Sequence, residues 1–239
     1  MQDGDQHRTR DKYMSVLVAL LSASARRPWW SLASPQVRRT AGAAAAVGAG
    51  GSGGGAITLP CASSADTLAL GAALAEACRA GDAMLLRGDY GAGKTCLARG
   101  FIRRWYGDDG EQVTSPSYLI DNVYPDEDDR ALLPGVAVHH MDLWRLPEGK
   151  AAQLIDFPHV FSECVSLIEW PEKLGAGLMP EQRLEVRLTH AADPLEDDEC
   201  GRVARLVPVG ETWVRQLGPL LASLREDGFI VSVEESPGP

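Results

Sequence analysis

The sequence predicts an α/β fold, a mixed, mostly parallel sheet layered with helices and extended by antiparallel strands near the C-terminus. Three observations predict it. From Asp66 onward, short apolar runs of strand length alternate with stretches of helical periodicity. The run Ala83–Arg87 is apolar up to its last residue and flanked by Gly81 and Gly88, as suits a strand covered on both faces. Arg183–Thr189 instead alternates Leu184, Val186 and Leu188 with Arg183, Glu185 and Arg187, the pattern of a strand with one solvated face.

The first helix is read from Leu70, Leu74 and Cys78, spaced four apart with Ala73 and Ala77 beside them, and Gly81-Asp82 ends it with turn chemistry. After Ala83–Arg87 and a glycine-rich turn, Leu97, Phe101 and Trp105 form the stripe of a second helix, with Gly107 as its stop. Strands follow at Tyr118–Tyr124, Val136–Asp142 and Cys164–Glu169, with a helical segment around Lys150–Leu154 between the last two. Val203–Val209 resembles Arg183–Thr189, and Thr212–Leu224 reads as a closing helix. The acidic stretches Pro125–Arg130 and Pro194–Glu199 read as solvated loops.

Charge divides the 239 residues into two polymers. The total of 23 basic and 33 acidic side chains gives −10, yet the first 65 residues carry seven basic and three acidic groups, net +4. The remainder is therefore at −14, a field that disfavours gripping long nucleic acid through its phosphates. No acidic residue lies between Asp11 and Asp66. Arg26, Arg27, Arg38 and Arg39 sit there among Ser and Ala, ahead of the low-complexity run Ala41–Gly55, a composition that cannot bury enough surface to fold. It reads as an organelle transit peptide, plastid or mitochondrial. The competing readings are a secretory signal built on Val16–Leu21, with Ser22–Ala25 as its cleavage zone, and a cytoplasmic protein carrying either a plain disordered bacterial extension or a start codon mis-assigned upstream of Met14. That apolar run is far too short to span a bilayer, so no membrane association is expected. The five cysteines, Cys61, Cys78, Cys96, Cys164 and Cys200, are an odd number without a C-x-x-C pair, which argues for reduced thiols and against zinc. His139 and His140 are adjacent in a strand, so their side chains should leave on opposite faces, in packing or surface roles.

Gly88-Asp89-Tyr90-Gly91-Ala92-Gly93-Lys94-Thr95 fits G-x-x-x-x-G-K-[ST] at every fixed position, with a strand before it and an amphipathic helix after it. Gly91 and Gly93 let successive N–H groups face a phosphate, Lys94 brings a compact charge to the β- and γ-phosphates, and Thr95 offers a hydroxyl to Mg²⁺. The following helix adds its N-terminal partial charge. The expected architecture is thus a P-loop NTPase-like three-layer sandwich. Acidic partners are expected at the carboxyl ends of strands, where Asp142 and Glu169 each close an apolar run. Thr114, Ser115 and Ser117, between the loop helix and the next strand, suit either a γ-phosphate-sensing switch or an ordinary turn.

These segments, together with Val113–Tyr118, His140-Met141-Asp142-Leu143-Trp144-Arg145-Leu146 and Leu167-Ile168-Glu169-Trp170-Pro171-Glu172, resemble the TsaE ATPases of bacterial tRNA threonylcarbamoyladenosine synthesis. Thr67 with Leu70-Gly71 matches the family's first helix, and the likeness covers roughly residues 64–208. The resemblance implies Mg²⁺-dependent ATP hydrolysis as a switch on the threonylcarbamoyltransferase complex, with tRNA met only through that complex. It implies Thr95 and Glu169 as metal ligands and Asp142 as the catalytic or water-orienting group. Thr67, Asp89, Gly91, Ala92, Gly93, Lys94, Thr95, Cys96, Trp170 and Arg202 are then the ATP-binding set. Ser117, Cys96 and Trp144 stand where the family usually carries Thr, Thr and Tyr. A P-loop small-molecule kinase and an assembly module that binds nucleotide without turnover are the alternatives. The expected organisation is an unfolded extension over 1–63, the nucleotide-binding domain over 64–228 and a tail over 229–239.

Overall fold

The computed structural model describes residues 55–125, 130–191, 201–226, 229 and 231–234. The Arg- and Ser-rich leader, most of the 125–130 stretch and all of 194–199 lie outside the described residues. Eight strands form one sheet in the order β3-β4-β5-β2-β6-β7-β1-β8. They are β1 (Ala56–Cys61), β2 (Ala83–Arg87), β3 (Asp121–Tyr124), β4 (Val138–Asp142), β5 (Val165–Glu169), β6 (Arg183–His190), β7 (Arg202–Val209) and β8 (Ser232–Glu234). The four neighbours β4, β5, β2 and β6 run parallel, and every pairing outside them is antiparallel. The antiparallel part is larger than the C-terminal extension expected, because β1 joins it beside β7 and β3 adds a separate antiparallel strand at the opposite edge, beside β4.

The helices are α1 (Ser64–Ala77), α2 (Lys94–Tyr106), α3 (Phe157–Glu163) and α4 (Glu211–Glu226), with short 3₁₀ turns at Lys150–Gln153, Pro171–Lys173 and Ala176–Leu178. One sheet face buries Met84, Leu86, Val165, Leu167 and Val186 against α1, α2 and α4 through Leu70, Leu97, Phe101 and Trp213. The other face buries Leu85, Met141 and Ile168 against Phe157, Val160 and Leu174. A strand with apolar groups on both sides is the reason β2 reads as an unbroken apolar run.

Ser63 and Asp66 form a capping box that starts α1, and Gly107 ends α2 in the left-handed conformation, as its position predicts. Helices α1 and α2 meet backbone to backbone. A Cβ on Gly71 would lie 2.1 Å from the Leu97 carbonyl oxygen, and one on Gly100 would lie 2.0 Å from that of Leu68. Only glycine at these two places allows so close a crossing.

The domain boundaries need correction. Residues 56–61 are not part of an unfolded extension. Ile57, Leu59 and Cys61 alternate into the core, and β1 pairs with both β7 and β8. β8 itself falls in the stretch expected to be a tail. The strand expected at Tyr118–Tyr124 starts only at Asp121, because Ile120 takes a left-handed φ of 72° and its N–H closes a turn onto Pro116 O at 2.6 Å. Helix α3 is an addition. Its signals are an N-cap, Asp156, which accepts from His159 N, and Pro158 in the first turn. Cys61, Cys78 and Cys164 are buried and Cys96 is half-buried, none of them in a disulfide, and Cys200 lies outside the described residues.

Candidate nucleotide site

The loop between β2 and α2 takes its shape from three glycines with positive φ, Gly88 (142°), Gly91 (76°) and Gly93 (103°). Gly88 is also wedged against β6, where a Cβ would meet Leu188 O at 2.4 Å. Lys94 opens α2, and its Nζ donates to Gly88 O at 2.8 Å and Asp89 O at 2.9 Å. The same ammonium lies 3.9 Å from the centroid of the Trp170 ring, within range of a cation–π attraction. Burial pushes Lys94 below the usual lysine range, while Glu169, Asp142, Glu172 and Asp89 pull it back. Arg202 reaches the loop from the start of β7, with Nη2 donating to Gly91 O at 3.2 Å.

Asp142 and Glu169 end adjacent parallel strands and are register partners, so both carboxylates emerge at the sheet's carboxyl edge. Each lies two residues beyond a neighbour, Val138-His140 or Val165-Leu167, that faces α2, so both point towards the loop helix. Glu169 Oε1 accepts from Thr95 Oγ1 at 2.8 Å. Asp142 Oδ2 accepts from Ser115 Oγ at 3.0 Å and from Ser117 Oγ, while Oδ1 accepts from Trp144 N at 3.0 Å. The Asp142 N–H donates to Ile120 O at 2.9 Å, so strand end and serine segment are joined by backbone as well. Both carboxylates are nearly inaccessible to solvent.

Trp170 follows Glu169 in the left-handed conformation, φ 58°, which turns its ring over Lys94 and against Trp144 at 4.4 Å between centroids. A non-glycine residue held there is strained by about 1–3 kcal/mol, and such strain persists where surrounding contacts over-determine it. Ile120, a β-branched residue at φ 72°, carries the same strain at the other end of the serine segment.

The remaining expected residues lie around this centre. Thr67 is buried beside the loop, its methyl 3.7 Å from where a Gly93 Cβ would be, and its hydroxyl donates to Ser63 O at 3.3 Å. Cys96 donates to Ser64 O at 3.5 Å, and burial raises its pKa. Asp89 contributes its carbonyl, with its side chain exposed. Ala92 is buried under the loop. Thr114 is tied through its carbonyl, to Asn122 Nδ2 at 3.5 Å, and not to Asp142. The faces of the two histidines separate as expected. His139 meets Asp121 at 2.7 Å on one side, while His140 is buried on the other, with Nε2 2.9 Å from Glu169 Oε1. Sequence reasoning assigned His140 no part in the site; only the register of β4 against β5 brings it to Glu169.

A divalent ion fits what is present. Among the described residues no three His, Cys, Asp or Glu side chains converge on a cation position. Thr95 Oγ1 and Glu169 instead supply two hard oxygen donors beside the loop, the kind of partial set that Mg²⁺ completes with phosphate oxygens and water. The loop glycines hold the left-handed backbone that a phosphate cradle requires, and the space beside Gly91 is open, with nothing within 4 Å of where its Cβ would be.

A parallel core, a glycine loop entering a helix at Lys94-Thr95, and carboxylates on the two neighbouring strand ends define a protein of the P-loop NTPase-like class. The fold is shared with a crystal structure of Bacillus subtilis YdiB, at a TM-score of 0.54 and 23% identity, covering 70% of this chain and 95% of that one. A family described as "Threonylcarbamoyl adenosine biosynthesis protein TsaE" matches residues 61–198, and the chain belongs to this TsaE family. Similar proteins that carry the name tRNA threonylcarbamoyladenosine biosynthesis protein TsaE come from several bacteria. The one from Streptomyces coelicolor is 35% identical over 145 residues, 60% of this chain and 91% of its own length. That of Mycobacterium tuberculosis H37Rv is 36% identical over 141 residues, 56% of this chain and 78% of its own length. That of Bacillus subtilis 168 is 31% identical over 133 residues, covering 54% and 74%.

Proposed function

We propose that the chain acts in tRNA threonylcarbamoyladenosine biosynthesis as an Mg²⁺-dependent ATP-binding and hydrolysing subunit, a nucleotide-driven switch on the threonylcarbamoyltransferase complex. The observation that carries this reading is the 2.8 Å hydrogen bond from Thr95 to Glu169, which links the phosphate loop to the strand end next to Asp142.

In this reading the loop amides and the start of α2 receive the phosphates, and Lys94 exchanges its carbonyl partners for phosphate oxygens. Thr95 and Glu169 would hold Mg²⁺, which would neutralise charge developing on the phosphates. Asp142 orients the attacking water and accepts its proton. Thr67, Cys96 and Arg202 border the nucleotide on the outer side of the loop, and Trp170 closes over Lys94. Positioning and charge stabilisation then account for the rate, as in other phosphoryl transfers.

The switch reading rests on Ser115 and Ser117. Their hydroxyls are donors held by Asp142, and a γ-phosphate oxygen competes for the same donors. Tyr118 and Leu119, next along this segment, are 83% and 74% exposed, so a change at the serines is delivered straight to the surface. The net charge of −14 over residues 66–239 favours contact with tRNA through protein partners rather than directly. The acid-free leader fits import into an organelle, which imaging of a leader fused to a fluorescent protein tests.

An ATPase assay and a pull-down with the threonylcarbamoyltransferase, each on wild type and Lys94→Ala, test the proposal together. Association and phosphate release by the wild type, both lost or strongly weakened in Lys94→Ala, are expected. A wild type that fails to associate in any nucleotide state, or that moves phosphate to a metabolite rather than water, contradicts it.

A further inference from the structure

His140 sits in β4, two residues before Asp142 and on the same face, fully enclosed. Its Nε2 is 2.9 Å from Glu169 Oε1, the oxygen that also accepts from Thr95 Oγ1. A carboxylate oxygen accepts, so the bond runs from the imidazole Nε2–H to Glu169 Oε1. Nδ1 is buried with no hydrogen-bond partner. A core position that needed only volume is better filled by leucine, because an unpaired buried polar atom is costly to keep. The bond to Glu169 is therefore what the histidine contributes. It occupies Oε1 from the strand side while Thr95 occupies it from the helix side, and Oε2 stands outside both bonds.

We infer that His140 is a positioning residue. By holding Oε1 together with Thr95 it fixes the rotation of the Glu169 carboxylate, so that Oε2 is presented to the cation expected beside the loop. The inference rests on the proposed reading of Glu169 as a metal ligand. Partners of this kind, which orient a ligand without touching the metal, typically change metal affinity 10- to 100-fold when removed.

The test is equilibrium binding of ATP to the full chain, titrated with Mg²⁺ and repeated in EDTA. For His140→Leu the Mg²⁺ concentration that half-saturates the enhancement of ATP binding is expected to rise about 10- to 100-fold, with binding in EDTA within about twofold of wild type. His140→Gln, whose amide N–H can reach the place of Nε2, should recover most of the loss. His140→Asn, polar but too short to reach Glu169, should not, and it replaces the leucine variant if that one does not fold. A leucine or asparagine variant with the wild-type Mg²⁺ response overturns the inference, and so does equal loss in EDTA by all the variants, glutamine included. A wild type whose ATP binding ignores Mg²⁺ overturns the metal reading itself, and the inference with it.

Discussion

Asp142 and Glu169 face each other across adjacent parallel strands as register partners, yet each is engaged by a different element. Glu169 is held by Thr95 at the head of α2 and by His140, and Asp142 by the hydroxyls of Ser115 and Ser117. Two neighbouring carboxylates thus engage two different parts of the candidate site, the loop helix and the serine segment. Lys94 lies close enough to both to compensate their charge, and their field in turn supports its protonation against burial.

Replacing both Ser115 and Ser117 by alanine removes the side-chain tether of the segment to Asp142. Bonds to a charged acceptor are worth about 1.5–3 kcal/mol each when buried, and less at this partly exposed site. Amide hydrogen exchange over residues 114–120 should speed up by about tenfold, the effect of losing roughly 1.4 kcal/mol, and chymotrypsin should cut sooner at Tyr118. Unchanged exchange would mean that the backbone bond from Asp142 N to Ile120 O holds the segment by itself.

Gly100→Ala should destabilise the domain by about 1–3 kcal/mol or more, because the added methyl meets backbone, Leu68 O, rather than a side chain that can swing aside. A urea denaturation midpoint measures this. Gly177→Ala, where nothing lies within 4 Å of the new carbon, is the matched control and should shift it little.

Asp82 gives a pH dependence far from the nucleotide site. Burial raises its pKa above 3.8, against the hydrogen bonds from Arg79 N and Gln216 Nε2 that favour the charged form. A folded-state pKa above the unfolded one means a contribution fully present below the unfolded value and lost as pH rises through the folded value. The Asp82 charge therefore costs stability at neutral pH. Asp82→Asn keeps an oxygen for both donors and should be at least as stable as wild type at pH 7, with its advantage shrinking as the pH falls towards 4. Thermal unfolding across that range shows the sign.

The parallel core and the loop were legible because their signals are local. An unbroken apolar run marks β2, three glycines and a Lys-Thr pair mark the loop, and a four-residue stripe marks α2. Asp142 and Glu169 were legible as polar endings of apolar runs. Non-local features were not. Residues 56–61 follow a glycine run that masks a short alternating strand, and only pairing with β7 makes them part of the sheet. His140 looks like any core histidine until strand register sets it against Glu169. The left-handed Ile120 and Trp170 run against residue preference, so their conformations come from tertiary contacts and no sequence pattern announces them. Gly100 reads as a weak helix residue, and its reason lies in a helix distant in sequence.

The central claim is that the paired strand-end carboxylates carry ATP hydrolysis. Single-turnover phosphate release at saturating Mg²⁺ and ATP, with the partner complex present, compares wild type with Asp142→Ala and Glu169→Ala most directly. The account predicts a fall of about 10²-fold or more in each variant, the scale of losing one electrostatic stabiliser. Wild-type release by both variants would contradict it.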